Sequence, residues 1–239
     1  MAAVTTPDGG IPADLQAHAM SPVRARYLAG ARTAVDLLAA PEVRDRWDEA
    51  SVLAGLAVGD LAGHLALAGV LLVESVLDQP DPGSPAPITA GQYYGAFVGA
   101  DDPDSRLNVG VRERAHAVGV RGHADVLERA STCLERLTGR LATEPAERQV
   151  AARDKALTLD EYLRGRCVEL AVHVEDLELS VGLGPGLTAA DPVPEPPDDL
   201  VRDAVDVLVA AALARHGGAA VLRALTRRER DQVQALRVL

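Results

Sequence analysis

Apolar positions recur at helical spacing through most of the chain, and long runs are separated by Gly/Pro-rich interruptions. A first helix is predicted from about 22 to 39, stopping before Pro41, and a second from about 59 to 77, stopping before D-Q-P-D-P-G-S-P-A-P. A long loop runs on through I-T-A-G-Q-Y-Y-G-A-F to about 104. The third helix is expected over roughly 105–137, with a kink near Gly119 and Gly122. The fourth starts after Thr158, where T-L-D-E forms a capping box with Glu161 reaching back, and runs to about 181. Two further helices, about 198–215 and 219–229, are separated by His216-Gly217-Gly218. No segment alternates with turn signals, so no sheet is expected. The fold class is all-α: a four-helix bundle with a long crossover between helices 2 and 3, plus C-terminal helices. The domain reading is a flexible tail at 1–17, the bundle at 18–181, a linker at 182–197 and a helical extension at 198–239.

The fourth helix carries two polar stripes where one would suffice. At about 100° per residue, Asp160, Arg164, Glu175 and Glu178 gather on one side, an ordinary solvent face. Tyr162, Arg166, Glu169, His173 and Asp176 gather nearly opposite, within roughly 80°, flanked by leucines and valines on both edges. Glu169 and His173 are four apart, so their side chains share a face, and a plain surface pair would show the same spacing. The apolar flanks favour burial, and a buried carboxylate needs a charge partner or a metal. His64 is the one ionisable residue in L-A-G-H-L-A-L-A-G-V-L-L-V. It reads either as a hydrogen-bonded core histidine or as the residue completing a two-histidine, one-carboxylate set from two facing helices. Three protein ligands leave a position open, which is the catalytic arrangement for zinc.

Composition narrows the function classes. Alanine, leucine and valine dominate and aromatics are only 3%, which suits close-packed helices. The net charge of −11 disfavours nucleic acid and anionic membrane as partners, and the only basic cluster is Arg227–Arg230. The start MAAVTTPDGG is not a secretory signal, and the uncharged run 61–73 is too short to span a bilayer. The two cysteines, Cys133 and Cys167, have no framework spacing, so a cytoplasmic protein with reduced thiols is expected. The Ala, Arg, Val and Gly bias is that of a GC-rich bacterial genome.

V-G-D-L-A-G-H-L-A at 58–66, I-T-A-G-Q-Y-Y-G at 88–95 and L-D-E-Y-L-R-G-R-C-V-E-L-A-V-H-V-E-D-L at 159–177 resemble the mycothiol-dependent maleylpyruvate isomerase-like proteins, within the DinB-like superfamily of metal-binding bundles. The tail R-H-G-G-A-A-V-L-R-A-L-T-R-R-E-R resembles the ends of many actinobacterial members. The resemblance implies a divalent metal, most often zinc, held by His64, Glu169 and His173. It also implies mycothiol as cosubstrate in isomerisation or S-transfer onto a small electrophile. The family's isomerases carry an α/β C-terminal domain that supplies a substrate-binding arginine, whereas 198–239 reads as helices only.

Around these ligands, Arg166 is a candidate to bind an anion in catalysis or to neutralise Glu169. Asp176 is a candidate to orient His173, and Asp60 to orient His64 or to serve the first turn of its own helix. Tyr93 and Tyr94, in the crossover, are candidates to close over the site and contact the cofactor, or to pack the loop. His116 and His123, beside several arginines, are expected to face solvent, and Cys167 to pack. The leading expectation is an enzyme, a metal-dependent thiol transferase or thiol-assisted isomerase. A non-catalytic DinB-like bundle and a thiol-independent metal hydrolase are the competitors. The apolar C-terminal helices are expected to cover the bundle or a second subunit of a homodimer.

Overall fold

A computed structural model describes residues 20–99, 102, 104–183, 196–230 and 234–238. The tail at 1–17 and most of the linker lie outside these residues. The described chain is a bundle of helices with one small hairpin, as the all-α reading requires. Its first helix, α1 (Pro22–Leu38), is capped by Ser21, whose hydroxyl accepts the Arg24 N–H, and Pro22 fits the first turn. A short α2 (Pro41–Asp45) follows.

The second bundle helix is continuous over Val58–Leu77 but not uniform. It comprises α3 (Val58–His64), a π-helical segment (Leu65–Leu71) and α4 (Leu72–Leu77). A π segment widens the backbone spiral and loosens its carbonyls from regular pairing. Three successive carbonyls here accept from three other helices: Ala68 from Arg166 (3.1 Å), Gly69 from the Tyr27 hydroxyl (3.0 Å) and, weakly, Val70 from the Cys133 thiol (3.9 Å). The stretch is apolar and long enough to cross a membrane, with 56% of its most apolar window buried inside the protein.

Where one third helix was expected there are two, α6 (Arg106–Gly119) and α7 (His123–Thr143). Gly122 stands at φ 88°, which no helical residue adopts, so the expected kink is a break. α3 crosses α6 with almost no side chain between them. A methyl group on Gly63 would lie 2.8 Å from the Gly119 nitrogen and 2.9 Å from the Ala115 oxygen, both backbone atoms. Gly63→Ala is therefore expected to destabilise the protein by about 1–3 kcal/mol, although alanine is worth roughly 1 kcal/mol more than glycine in a helix. A lower urea midpoint at unchanged m-value would record it.

The expectation of no sheet fails at β1 (Gln149–Ala152) and β2 (Lys155–Thr158), an antiparallel hairpin that turns through Arg153 at φ 55°. Gln149–Ala152 buries alternate residues, but Ala151 between Val150 and Ala152 hides that alternation in the sequence. Ile88 bridges to Leu157, so the crossover chain docks on the hairpin. There the segment expected as loop forms α5 (Ala90–Gly95), begun by a reciprocal Thr89–Gln92 capping box.

The fourth bundle helix is α8 (Leu159–Val181). Thr158 caps it as expected, accepting the Glu161 N–H at 3.2 Å. Glu161 does not reach back, because its carboxylate takes the Ala90 N–H of α5 at 2.7 Å. The polar stripe assigned to solvent is only partly so: Glu175 is exposed, but Glu178 is buried. The chain after α2 covers this end of α8, where the Val52 N–H donates to the Ser180 hydroxyl. Asp160 binds buried Arg24, whose guanidinium also caps the carbonyls of Leu141, Glu144 and Pro145 at the C-terminal end of α7. One arginine thus ties α1, α7 and α8 together.

The C-terminal extension folds onto the bundle as α9 (Asp198–His216) and α10 (Gly218–Thr226), followed by a 3-10 turn (Arg228–Arg230). α9 packs against α5 and α8, burying Leu200 fully, and Asp203 pairs with Arg26 of α1 at 2.7 Å.

Candidate metal centre

α3 ends at His64 and α8 faces it across the bundle, so the inner stripe of α8 meets the one imidazole on the apolar helix. His64 Nε2 and His173 Nε2 are 3.1 Å apart, and each lies 3.5 Å from Glu169 Oε2. Among the described residues this is the one group of three potential ligand side chains so gathered. The circle through three points at these separations has a radius of about 2 Å, the length of a zinc–nitrogen or zinc–carboxylate bond. His64, Glu169 and His173 would therefore hold a single ion of that size without rearrangement. The side chains keep 14%, 16% and 17% of their surface exposed, so the centre is sunk in the bundle but not sealed.

Surrounding contacts hold two of the three donors, His173 and Glu169. His173 Nδ1 lies 3.0 Å from Asp176 Oδ2, which orients the ring and turns Nε2 inward. Burial lowers the His173 imidazolium, but hydrogen bonds to Asp176 and Glu169 more than offset it and raise the group to about 9. A metal would have to displace that proton. Burial alone would raise the Glu169 carboxyl; the hydrogen bonds from His173 and His64 and the Arg166 charge hold it well below the usual range. Its second oxygen, Oε1, accepts the Tyr94 hydroxyl at 2.6 Å and lies 3.7 Å from Arg166 Nη2.

Arg166 is buried, with Nη1 on the Ala68 carbonyl, Nη2 on the Tyr94 hydroxyl at 3.2 Å, and its guanidinium over the Tyr162 ring. Tyr94 is fully buried, and burial together with the Glu169 charge pushes its phenol well above the usual range, so it stays a donor. Tyr93 is buried beside it, edge-on to Tyr94 and Phe97. Asp60 serves the helix end and not His64: Oδ2 accepts the Ala57 N–H at 3.2 Å and Oδ1 meets His116 Nδ1 at 3.0 Å.

His116 is exposed as expected, but His123 is not, because its Nε2 meets the Leu38 carbonyl at 2.7 Å and its ring packs on Trp47. Cys167 and Cys133 are buried, and burial pushes each thiol up to about 12. Sequence reasoning passed over Arg215, whose guanidinium holds the Tyr94 carbonyl at 2.9 Å, and the Ala68 carbonyl under Arg166. Both contacts join segments far apart in the chain, and no local pattern marks them.

A family model described as the mycothiol maleylpyruvate isomerase N-terminal domain matches residues 27–178, which is more than half of the chain. The matched span contains His64, Glu169, His173, Arg166 and Tyr94 and ends before α9. No curated protein and no solved structure matches the chain.

Proposed function

We propose that the chain, which belongs to the mycothiol maleylpyruvate isomerase N-terminal domain family, binds a divalent metal through His64, Glu169 and His173 and uses it to activate a low-molecular-weight thiol of the mycothiol type. The convergence of three donor atoms from two helices onto one point, at separations that suit a single ion, carries this reading. A two-nitrogen, one-oxygen donor set, which leaves a fourth position for another ligand, is the pattern of catalytic zinc. Such an ion would lower the pKa of a bound thiol from about 8.5 and so supply a thiolate at neutral pH.

The protein's own residues hold that centre in place. Asp176 fixes the His173 ring, and Arg166 neutralises Glu169 from the buried side. Arg166 spends its Nη groups on Ala68 and Tyr94, so its place is partner to Glu169 more than substrate anchor. Neither cysteine supplies a nucleophile, since both are buried with thiols raised to about 12. The attacking sulfur must come from outside, which fits a thiol cosubstrate. The reaction is S-transfer to, or thiol-assisted isomerisation of, a small electrophile. Among the described residues the C-terminal segment after α8 is helical.

Metal analysis of untagged protein should give one divalent ion per chain, and turnover of candidate electrophiles should require added mycothiol. Protein that carries no stoichiometric metal after purification in zinc-supplemented buffer overturns the reading. Turnover independent of thiol would replace it with metal-assisted hydrolysis.

A further inference from the structure

α5 is short, yet both its ends are anchored. At its start the Ala90 N–H donates to Glu161 of α8. At its end Arg215 of α9 donates to the carbonyls of Tyr94 (2.9 Å) and, more weakly, Gly95 (3.4 Å), and its third nitrogen holds the Val238 carbonyl (3.2 Å). A helix of six residues is unstable alone, so these contacts and its burial under α9 decide where it sits. They place the Tyr94 ring against Gly165 of α8 and its hydroxyl 2.6 Å from Glu169 Oε1 and 2.9 Å from the Gly165 carbonyl. Arg166 Nη2 donates into the same hydroxyl. The phenol has one proton, and the charged carboxylate at the shorter distance is the stronger acceptor.

Glu169 therefore has its two oxygens assigned to different tasks. Oε2 faces both histidine nitrogens, and Oε1 is held by Tyr94 on the far side.

We propose that Tyr94 is a positioning residue that keeps Glu169 a one-oxygen ligand, and that α9, through Arg215, is the element that keeps Tyr94 in place. The extension beyond the matched span then becomes part of the site's construction. Without the hydroxyl, Oε1 keeps only its 3.7 Å contact with Arg166 and can turn toward a bound metal, and a two-oxygen carboxylate would fill the position a thiol needs. The inference rests on the metal-site reading above.

Cobalt(II) tests it without any need for a substrate, because its visible bands weaken as coordination number rises. Tyr94→Phe removes one oxygen and keeps the ring. The cobalt-loaded variant is expected to show weaker visible absorption than the parent, and its zinc affinity, measured by competition with a chromophoric chelator, should fall roughly 10–100-fold. Arg215→Met should shift both in the same direction and by less. A Tyr94→Phe spectrum and affinity that match the parent's overturn the inference while leaving the metal site intact. A parent chain that binds no cobalt overturns the metal-site reading and this inference together. Should Tyr94→Phe fail to fold by circular dichroism, Arg215→Met decides: a shift toward weaker bands supports the positioning role, and an unchanged spectrum overturns it.

Discussion

Replacing His64 with alanine is expected to abolish stoichiometric zinc binding, with a loss of affinity well beyond the roughly 10–100-fold that follows removal of an outer hydrogen-bond partner. The ring supplies one of three donors, and it comes from a different helix from the other two. Glu169 and His173 alone, four apart on α8, offer only the pairing that any helix surface can offer. A second readout separates this outcome from a mere loss of packing. A ligand present at about a thousand times its dissociation constant stabilises the folded state by roughly 4 kcal/mol, and for a chain this long each kcal/mol moves the melting point by roughly 2–4 °C. Saturating zinc should thus raise the parent's melting temperature by about 10 °C and leave His64→Ala unmoved. If the variant responds to zinc as the parent does, His64 is a core histidine hydrogen-bonded to His173 and nothing more.

The gathering of His64, Glu169 and His173 was legible in the sequence because both of the helices that carry them break a pattern. The inner stripe of α8 places Arg166, Glu169, His173 and Asp176 between two apolar edges, and a single wheel reveals it. His64 stands out because its helix has almost nothing else polar near it. What could not be read was geometry made by distant partners. Glu161 looks like half of a capping box, yet it serves α5, whose docking no local pattern encodes. Glu178 shares a face with exposed Glu175 yet is buried, and the chain after α2 packs at that end of the helix. The π segment is invisible for another reason: Leu65–Leu71 has the composition of any apolar helix, and the donors that meet its carbonyls, from Tyr27 and Arg166, lie on other helices. Tyr94 was legible as a residue of interest, but its partner lies 75 positions away.

Glu169→Ala is expected to do two kinds of damage that experiment can separate. The first is loss of metal, since the only carboxylate in the donor set is gone. The second is loss of stability in the presence of a chelator, where no metal contributes. The Arg166 side chain is 7% exposed, its Nε has no partner, and Glu169 is the carboxylate beside it. Removing one member of a buried charge pair typically costs about 3–5 kcal/mol, because the other charge stays desolvated without compensation. Tyr94 is spared that fate, as its hydroxyl still has the Gly165 carbonyl as acceptor. The double variant Glu169→Ala/Arg166→Met should therefore recover most of the lost stability in chelator, since methionine fills much of the arginine's space without its charge. It should recover none of the metal affinity. Urea titrations of the four proteins, each with chelator and with zinc, measure both effects in one cycle. A single Glu169→Ala variant that matches the parent in chelator would mean that water or another group already balances Arg166, and the pair would lose its structural role. If the double variant is no more stable than the single, the damage lies in the cavity left at position 169 and not in the stranded charge. The expected pattern, stability restored and binding not, would show that α8 carries Arg166 to make a buried carboxylate tolerable and Glu169 to bind metal.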